Sequence, residues 1–516
     1  MCVSSPHSHS GSLAPLGLST ALSSQLFPLH ELHAEEAPSI LDYHSDCPTF
    51  SLSISPLSTS SPSSLRLAVG SYSEQRLSSA TITAQQQQQQ QTSSGQQAQN
   101  GAASAGYSNN FTVASLDPSF LELEDASDSE SETAYRSSRT GQRVAPQSGA
   151  FQPIARAPLL YPPSSVQFAP ARLSTSLAAA AAGNGGHGAG GGEQREVVAT
   201  SSECLRLWDL VSEAEDGSAG RAGNGFVGGA QAASRSRLVS RATLQNSKAD
   251  YSAPLTSFSW SLLEPTHIVT SSIDTTCTVW DISTGVPVTQ LIAHDREVYD
   301  VAWSLSARDV FTSVGADGSV RMFDLRSLEH STILYEAASA SSASSSSSSK
   351  RNGTSPSPAA ASSSGSKSSH PAPPLLRVSF SPTSPSYLSV IHADSCDVPI
   401  LDVRSPGTPA FVVKGHEAPV NGMAWGGETM AAGGGGETSG PGWLATVSDD
   451  ATLLLWDLSN STPPAPATRG VPQQPKSVHT PALAYTAPGE VNAVAWGGGG
   501  DWVAIGGGRT VRTMRV

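Results

Sequence analysis

The chain has 516 residues and carries 43 acidic against 29 basic side chains, a net charge of -14. This acidic balance argues against direct binding to nucleic acid or to an anionic membrane surface. The 46 glycines and 36 prolines place much of the length outside a hydrophobic core. Five widely spaced cysteines without a CxxC pair predict reduced thiols in the cytoplasm and nucleus, and we expect no metal or other cofactor.

Residues 1–38 are predicted to form a disordered tail, because they contain too few apolar side chains to offset the entropy lost on ordering. Low-complexity sequence predicts further disordered insertions at about 73–110, 121–150, 171–195, 212–237, 337–373, 426–442 and 459–480. Between these segments lie short alternating apolar runs that are typical of strands. We therefore expect one β-domain over residues 39–516, interrupted by long loops.

The strand-like runs belong to a repeating unit. Trp260 and Trp303 stand about 43 positions apart, as do Trp280 and Phe323, and this spacing is the period of one blade of a WD-repeat propeller. A third clear copy contains Trp425 and Trp456. Seven copies can be placed in all, which predicts an all-β, seven-bladed WD-repeat β-propeller.

The remaining blades follow from weaker copies of the unit. Blade one takes residues 50–53, 65–70 and 111–117, and blade two takes 166–168, 197–201 and 205–210; blade five takes 375–380, 387–391 and 398–403, and blade seven begins at 490. Pro399 is expected to weaken pairing in blade five, because proline has no N–H for a central strand. Residues 40–43 are expected to close the ring as the fourth strand of blade seven, since an unpaired edge invites aggregation.

In a WD blade, connections between strands two and three, and from strand four to the next blade, lie on the top face. The insertions at 73–110 and 337–373 are therefore expected on top. Those at 171–195, 212–237, 426–442 and 459–480 are expected on the bottom face.

Several runs carry a resemblance to one group of WD-repeat proteins. They are residues 253–258, 271–278, 290–295, 297–300, 313–332, 400–404 and 483–486. On these runs the chain resembles the group that includes plant transparent-testa-glabra, petunia anthocyanin-eleven and the animal cullin-4-associated WD-repeat factor. The resemblance is dense over about 251–516 and implies a scaffold for protein kinases or transcription-factor complexes.

Histidine and aspartate recur at matching places in the blades. His–Asp–Ser sets can form a hydrolase triad, but these sets stand where a blade needs a satisfied buried polar network, and no nucleophile-elbow motif accompanies them. We therefore predict no catalytic residue and expect the tryptophans to pack between sheets rather than to form a ligand cage. The residues assigned this structural role are His294, Asp317, His416, Asp450, Trp456, Asp274 and Trp280.

Two third strands end in an Asp-x-Arg sequence, Asp324 with Arg326 and Asp402 with Arg404. In cullin-4-associated WD proteins this sequence is associated with docking to the ligase adaptor, so the resemblance implies the same role here. The alternative is a solvated strand end with no partner.

Partner binding is expected on the top face over blades three, four and six. There, uncompensated charges are expected beside an exposed Tyr299 or Ile273, a mixture that binding hot spots favour. The predicted set is Ile273, Asp295, Arg296, Glu297, Tyr299, Ala316, Glu417 and Asp449. The sequence thus favours a monomeric, non-catalytic scaffold; the alternatives are a substrate receptor of a cullin-4 type ubiquitin ligase and an enzyme using the His/Asp sets.

Overall fold

The computed structural model describes thirteen stretches of the chain, namely residues 40–59, 65–72, 109–116, 147–148, 150–173, 196–212, 236–245, 253–338, 372–427, 440–463, 474–497, 500 and 502–516. The predicted tail and most residues of the predicted insertions lie outside these ranges. No helix within them is long and apolar enough to cross a membrane.

The described residues form seven sheets, each with four main strands that pair antiparallel, which confirms the seven-bladed propeller. The N-terminal strand is β1 (Ile40–His44). Blade one contains β2 (Thr49–Ile54), β3 (Arg66–Ser71), β4 (Asn110–Leu116) and β6 (Phe151–Pro158), with a two-residue strand β5 (Gln147–Ser148) just before β6 and a short 3-10 helix at Pro56–Thr59. Blade two contains β7 (Ser165–Phe168), β8 (Glu196–Ser201), β9 (Leu205–Ser212) and β10 (Ser236–Leu244).

The middle blades follow the same order of strands. Blade three contains β11 (Leu255–Trp260), β12 (His267–Ser272), β13 (Thr276–Asp281) and β14 (Val286–Ile292). Blade four contains β15 (Val298–Trp303), β16 (Val310–Gly315), β17 (Ser319–Asp324) and β18 (Thr332–Glu336). Blade five contains β19 (Leu375–Phe380), β20 (Tyr387–His392), β21 (Asp397–Asp402) and β22 (Phe411–Lys414).

The last two blades complete the ring. Blade six contains β23 (Val420–Trp425), β24 (Trp443–Ser448), β25 (Thr452–Asp457) and β27 (Leu483–Thr486), with the short strand β26 (Lys476–Val478) in the connection before β27. Blade seven contains β28 (Ala493–Trp496), β29 (Trp502–Gly507) and β30 (Thr510–Arg515).

The predicted closing seam is present. Strand β1 pairs antiparallel with β30, and Ile40 lies opposite Met514 while Tyr43 lies opposite Val511. A buried ion pair joins the two strands, because Arg512 Nε donates to Asp42 Oδ1 at 3.0 Å. The ring is therefore held shut by backbone pairing and by a charged contact between the two ends of the described chain.

Pro399 acts in blade five as its position predicts. The ladder between β20 and β21 extends from Tyr387 opposite Asp402 to Ser389 opposite Ile400 and then stops. On its other side, Pro399 lies opposite Val412 of β22. The prediction of weakened pairing is confirmed for the inner ladder, which lacks the proline N–H.

Two outer edges carry a fifth strand that the sequence did not predict. Strand β26 pairs parallel with β22 of blade five, and β5 pairs parallel with β1 of blade seven. Each added strand comes from the connection between strands three and four of the following blade. The outer rim of this propeller therefore accepts extended segments by strand addition.

The hydrophobic core consists of seven clusters, one at each interface between neighbouring blades. The tryptophans lie in these clusters, as predicted: Trp260 and Trp280 between blades two and three, Trp303 between three and four, and Trp425 and Trp456 between five and six.

The strand order places the ends of the insertions as expected. Residues 73–108 join strands two and three of blade one, and 339–371 lead from blade four to blade five, so both leave the top face. Residues 174–195, 213–235, 428–439 and 464–473 join strands one and two or three and four of their blades, so they leave the bottom face. Most of the predicted disorder falls outside the described residues. The prediction is wrong for Gln147–Ser148 and Lys476–Val478, which lie in the predicted insertions 121–150 and 459–480 but form short strands because each pairs with the outer edge of a neighbouring blade.

Candidate protein-interaction surfaces

A buried hydrogen-bond chain fixes the top of blade six. Asp450 can only accept, so the 3.0 Å contact places the proton of His416 on Nδ1. His416 Nε2 then accepts from the Thr446 hydroxyl at 2.7 Å, and that oxygen accepts from Trp456 Nε1 at 2.9 Å. Every polar atom along this chain has a partner, which is what a buried network requires.

Ionisation of this network follows from its burial and its hydrogen bonds. Burial lowers the pKa of His416, and nearby Asp450 opposes the shift only in part. For Asp450, burial acts to raise the pKa, but hydrogen bonds from Thr452 and from the Glu417 N–H outweigh it and lower the pKa overall. The pair therefore contains a neutral imidazole and an ionised carboxylate.

Blade four contains a modified version of the network. His294 Nδ1 lies 3.0 Å from Asp317, and Nε2 lies 2.7 Å from the Ser313 hydroxyl. Phe323 stands at the position of Trp456, so no indole N–H completes the chain. Burial acts to raise the pKa of Asp317, but hydrogen bonds from His294 and Ser319 hold it well below its usual range.

The hydrolase interpretation fails on access. The side chain of His294 is fully buried, and Ser313 is equally inaccessible to solvent. A substrate carbonyl therefore cannot reach the serine oxygen. Both His/Asp sets lie in hydrogen-bond networks inside their blades. Within the described residues, no group of three His, Cys, Asp or Glu side chains is placed to bind a metal ion.

Blade three has only part of this arrangement. Trp280 Nε1 donates to Thr270 at 3.0 Å, as predicted for a structural tryptophan. Asp274, however, is exposed and caps its own turn by accepting from the N–H and the hydroxyl of Thr276, at 3.0 and 2.7 Å. Its structural role is therefore local to the turn.

The connection from blade three to blade four presents charged side chains on the top face. Asp295 is 84% exposed, and Arg296 and Glu297 are about half exposed. The expectation that these charges are uncompensated is wrong. Arg321 Nη2 lies 3.1 Å from Asp295, and Arg296 Nε lies 3.8 Å from Glu297.

Two further residues of the predicted partner set do not fit an exposed role. Ala316 is 2% exposed, and its N–H donates to the Glu297 carbonyl at 2.9 Å, so it supports the loop rather than contacting a partner. Tyr299 is only partly exposed, because its strand runs down into the ring. Ile273, in contrast, is 44% exposed on the top turn of blade three, as expected.

Blade six contributes two exposed acidic residues to the same face. The Glu417 N–H donates to Asp450 at 2.9 Å, which ties this loop to the buried network. Asp449 accepts from Asn421 Nδ2 at 2.5 Å. Both carboxylates remain on the surface, so the structure places them where the sequence predicted.

The acidic surface extends further than the sequence analysis proposed. Asp394 is exposed on the top turn of blade five, and Glu490 is exposed where blade six leads into blade seven. Both lie between or beside the predicted residues. Exposed carboxylates, here called the acidic arc, therefore recur over blades three to seven, with the exposed side chains of Arg296 and Arg509 among them. The repeat alone could have shown them, because Asp394 follows a second strand and Glu490 precedes a first strand, as Glu297 does.

The channel at the centre of the ring contains another residue that sequence analysis missed. Asp300 is buried at its wall and accepts from the N–H groups of Val301 and Val378, each at 3.0 Å. Burial raises its pKa, and the charge of Arg377 opposes the shift. A carboxylate among the apolar residues of β15 was the only signal available.

On the bottom face, each Asp-x-Arg sequence forms its own ion pair. Arg326 donates to Asp324 at 2.6 and 2.9 Å, and this hydrogen bonding lowers the pKa of Asp324 to about 2. Arg404 donates to Asp402 at 2.8 and 2.9 Å. The two arginines are 70% and 61% exposed, and they project from neighbouring blades.

Comparisons with known proteins support this architecture. The protein-family model described as WD domain, G-beta repeat matches residues 285–324 of this chain. The DDB1- and CUL4-associated factor 7 homolog of Dictyostelium discoideum is 35% identical over 311 residues, covering 60% of this chain and 72% of that protein. The chain therefore belongs to the same family of WD-repeat proteins as this homolog.

Other members of the WD-repeat class show the same likeness. A WD-repeat-containing protein of Schizosaccharomyces pombe is 34% identical over 353 residues, covering 62% of this chain and 71% of that protein. One of Saccharomyces cerevisiae is 39% identical over 209 residues, covering 40% of this chain and 35% of that protein. The two candidate interaction surfaces of this chain are the acidic arc on the top face and the two Asp-x-Arg pairs on the bottom face.

Proposed function

We propose that this WD-repeat protein is a non-catalytic scaffold that assembles protein complexes on its top face. One observation carries the proposal: buried networks hold the loops that present exposed carboxylates. His294 directly precedes Asp295, and Asp450 binds the Glu417 N–H. A loop fixed before binding loses less conformational entropy when a partner docks, so its contacts yield more affinity.

The acidic arc indicates the chemistry of the partner. A complementary surface carries lysine or arginine, which accelerates encounter and disfavours acidic competitors. The exposed Ile273 adds an apolar anchor at one end of the arc. We propose protein kinases or transcription factors with basic docking segments as partners, in the cytoplasm and nucleus, bound by a monomer that does not itself contact nucleic acid or membrane. Membership of the transparent-testa-glabra and anthocyanin-eleven subgroup belongs to the same proposal.

Charge reversal on the arc tests the scaffold. Partners captured by the unchanged chain are identified, and the affinity of each is measured against Glu297→Lys combined with Glu417→Lys. We expect a loss of at least about tenfold, because two attractive contacts become repulsive. The matched control is Glu264→Lys with Glu329→Lys, the same charge change on the bottom face. Equal affinity of both variants would contradict a top-face site.

A second function is favoured by the bottom face. The two Asp-x-Arg pairs project from adjacent blades, and a relative bears the name of a DDB1- and CUL4-associated factor. A substrate receptor of a cullin-4 type ligase would use these arginines to dock to the adaptor. Arg326→Ala with Arg404→Ala should then abolish adaptor co-purification. If this arginine variant loses the adaptor while Glu297→Lys with Glu417→Lys keeps all partners, the proposed receptor function replaces the proposed scaffold function.

A further inference from the structure

Two connections on the bottom face of blade five contain the same short sequence. Pro-x-Ser/Thr-Pro occurs twice in this chain, at residues 382–385 between β19 and β20 and at residues 406–409 between β21 and β22. The hydroxyl groups in these two copies belong to Ser384 and Thr408. Proline directly after a hydroxyl residue has no N–H to offer an enzyme, and proline-directed protein kinases accept such a sequence. The sequence does not distinguish between the two hydroxyls.

The backbone of Ser384 is held in a turn on both sides. Its N–H donates to the Ser381 hydroxyl at 3.1 Å, and its carbonyl accepts from the Tyr387 N–H at 2.9 Å. A kinase binds its substrate in an extended conformation, so both hydrogen bonds must break before the Ser384 hydroxyl can reach ATP. Ser384 is therefore a poor acceptor in the folded protein, although its sequence fits.

The backbone of Thr408 is not held in this way. Within the described residues, the N–H, the carbonyl and the hydroxyl of Thr408 take part in no hydrogen bond. The preceding Gly407 has a φ of 105°, and no atom lies within 4 Å of the position that a Cβ would take there. The Gly407 N–H ties the connection to blade four by donating to the Leu334 carbonyl at 2.8 Å. Half-buried Thr408 therefore becomes accessible by a local opening that breaks fewer hydrogen bonds than the opening at Ser384.

Two cationic side chains flank the connection that contains Thr408. Arg404 lies near its first end, and the two ends run side by side, because the Ala410 N–H donates to the Ile400 carbonyl at 2.8 Å. Lys476 of β26 lies at the second end, where its N–H donates to the Ala410 carbonyl at 3.0 Å. Its side chain is exposed and forms no ion pair with any other residue that the structure describes. A phosphate on Thr408 would therefore form between two positive charges.

We propose that Thr408 is a phosphorylation site for a proline-directed protein kinase and that its phosphate draws Arg404 away from Asp402. In the reaction, the Thr408 hydroxyl oxygen attacks the γ-phosphorus of ATP and the bond from that phosphorus to the ADP oxygen breaks. The hydroxyl proton passes to the catalytic aspartate of the kinase. The products are ADP and a phosphothreonine with a charge of about -1.5 to -2 near neutral pH.

The new charge acts on the Asp-x-Arg surface of the bottom face. Arg404 donates to Asp402 at 2.8 and 2.9 Å but is still 61% exposed, so a second anion can reach its guanidinium. Hydrogen bonds from arginine to phosphate are charge-assisted and strong. The consequence rests on the proposed ligase-receptor function: an Arg404 bound to phosphate no longer docks to the adaptor. Phosphorylation therefore releases the adaptor and leaves the top face unchanged.

The site is tested with the purified full chain, ATP and a mitogen-activated protein kinase, followed by site-resolved mass spectrometry. Thr408 should be modified at least about tenfold faster than Ser384, because Ser384 reacts only from a rarer open form. Synthetic peptides of residues 378–387 and 402–411, which lack the fold, should react at similar rates. Absence of phosphate on Thr408, equal rates at the two sites of the folded chain, or peptides as unequal as the folded sites would each overturn the proposal.

The effect on Arg404 has its own measurements. The phosphorylated chain should bind the cullin-4 ligase adaptor at least about tenfold more weakly than the untreated chain. Thr408→Ala treated with the same kinase is the matched control and should keep its affinity. The side-chain Nε–H NMR signal of Arg404 should shift on phosphorylation of the unchanged chain and stay in place in Thr408→Ala. An unshifted signal would overturn the effect on Arg404, whereas a shifted signal without any adaptor binding would contradict only the receptor function.

Discussion

At the residue scale, the turn between strands two and three of a blade has a demanding backbone. The residue after its aspartate has a positive φ in three of the blades: 74° at Thr275, 76° at Gly318 and 63° at Ala451. Glycine adopts this conformation freely, whereas a β-branched side chain is strained there. The turns that carry Thr275 and Ala451 are therefore strained, because a non-glycine residue adopts a positive φ there. Thr275 is β-branched, so its turn is the less favourable of the two.

Replacing Thr275 with glycine should stabilise the protein. Removing the left-handed strain gains about 1–2 kcal/mol, and the added freedom of the unfolded chain costs about 0.4–1 kcal/mol. We expect a small rise in the melting temperature, measured by circular dichroism. The control is Gly318→Ala, which should lower the melting temperature. The added Cβ would lie only 2.8 Å from the Cβ of Ala372. A fall for Thr275→Gly would mean that the threonine side chain holds the turn.

Acid should destabilise the propeller through His416. Its pKa is lowered in the folded state from the ordinary 6.5, so the unfolded state binds a proton that the folded state does not. Stability is therefore fully present above about pH 6.5 and decreases as the pH falls below it. The lowered pKa of Asp450 adds a further loss as the pH falls below about 4.

His416→Gln isolates this effect. The variant should melt at a lower temperature than the unchanged chain at about pH 7, because the network loses a buried member at a cost of about 1–3 kcal/mol. At about pH 5.5 the gap should narrow, since glutamine does not titrate. Melting curves at both pH values test this, and a gap that stays constant would show that His416 does not contribute to the loss of stability in acid.

At the element scale, β26 is held by its backbone. The Lys476 N–H donates to the Ala410 carbonyl at 3.0 Å, and the next inward N–H in a parallel ladder belongs to Val478. Val478→Pro should therefore release the strand and speed cleavage by protease, with a loss of about 1 kcal/mol or more. Ser477→Pro should have little effect, because that N–H points away. Equal cleavage of both variants would contradict the ladder.

The strands of the blades could be predicted from sequence, but the added strands could not. The period and the alternation of apolar residues specify which residues face the neighbouring blade, and that is local information. The Lys476–Val478 segment has no period of its own and pairs only because β22 lies beside it. Ala316 was misplaced for a similar reason: its burial depends on the Glu297 carbonyl across the turn, which spacing does not reveal. The charge of Asp295 was wrongly predicted to be uncompensated, because its partner Arg321 lies on another strand and spacing along the chain does not reveal that contact.

At the scale of the whole molecule, ring closure depends on one strand. Deleting residues 1–45 should lower the melting temperature much more than deleting residues 1–35, because only the longer deletion removes Leu41, Tyr43 and the buried partner of Arg512. Breaking such a buried ion pair by removal of one partner alone costs about 3–5 kcal/mol. Thermal denaturation and light scattering measure the two deletions, and equal melting temperatures would show that the seam is dispensable.

The seam also sets the order in which the molecule can be finished. Strand β1 precedes every other described strand in the chain, while its partner β30 is made only after six blades have been synthesised. During that time Leu41 and Tyr43 have no sheet to cover them, and the Asp42 carboxylate has no arginine. Blades one to six can assemble in turn, each on its neighbour, but blade seven cannot be completed until β30 has been made. A nascent chain is thus an open arc whose two end strands stay unpaired until β30 has been made.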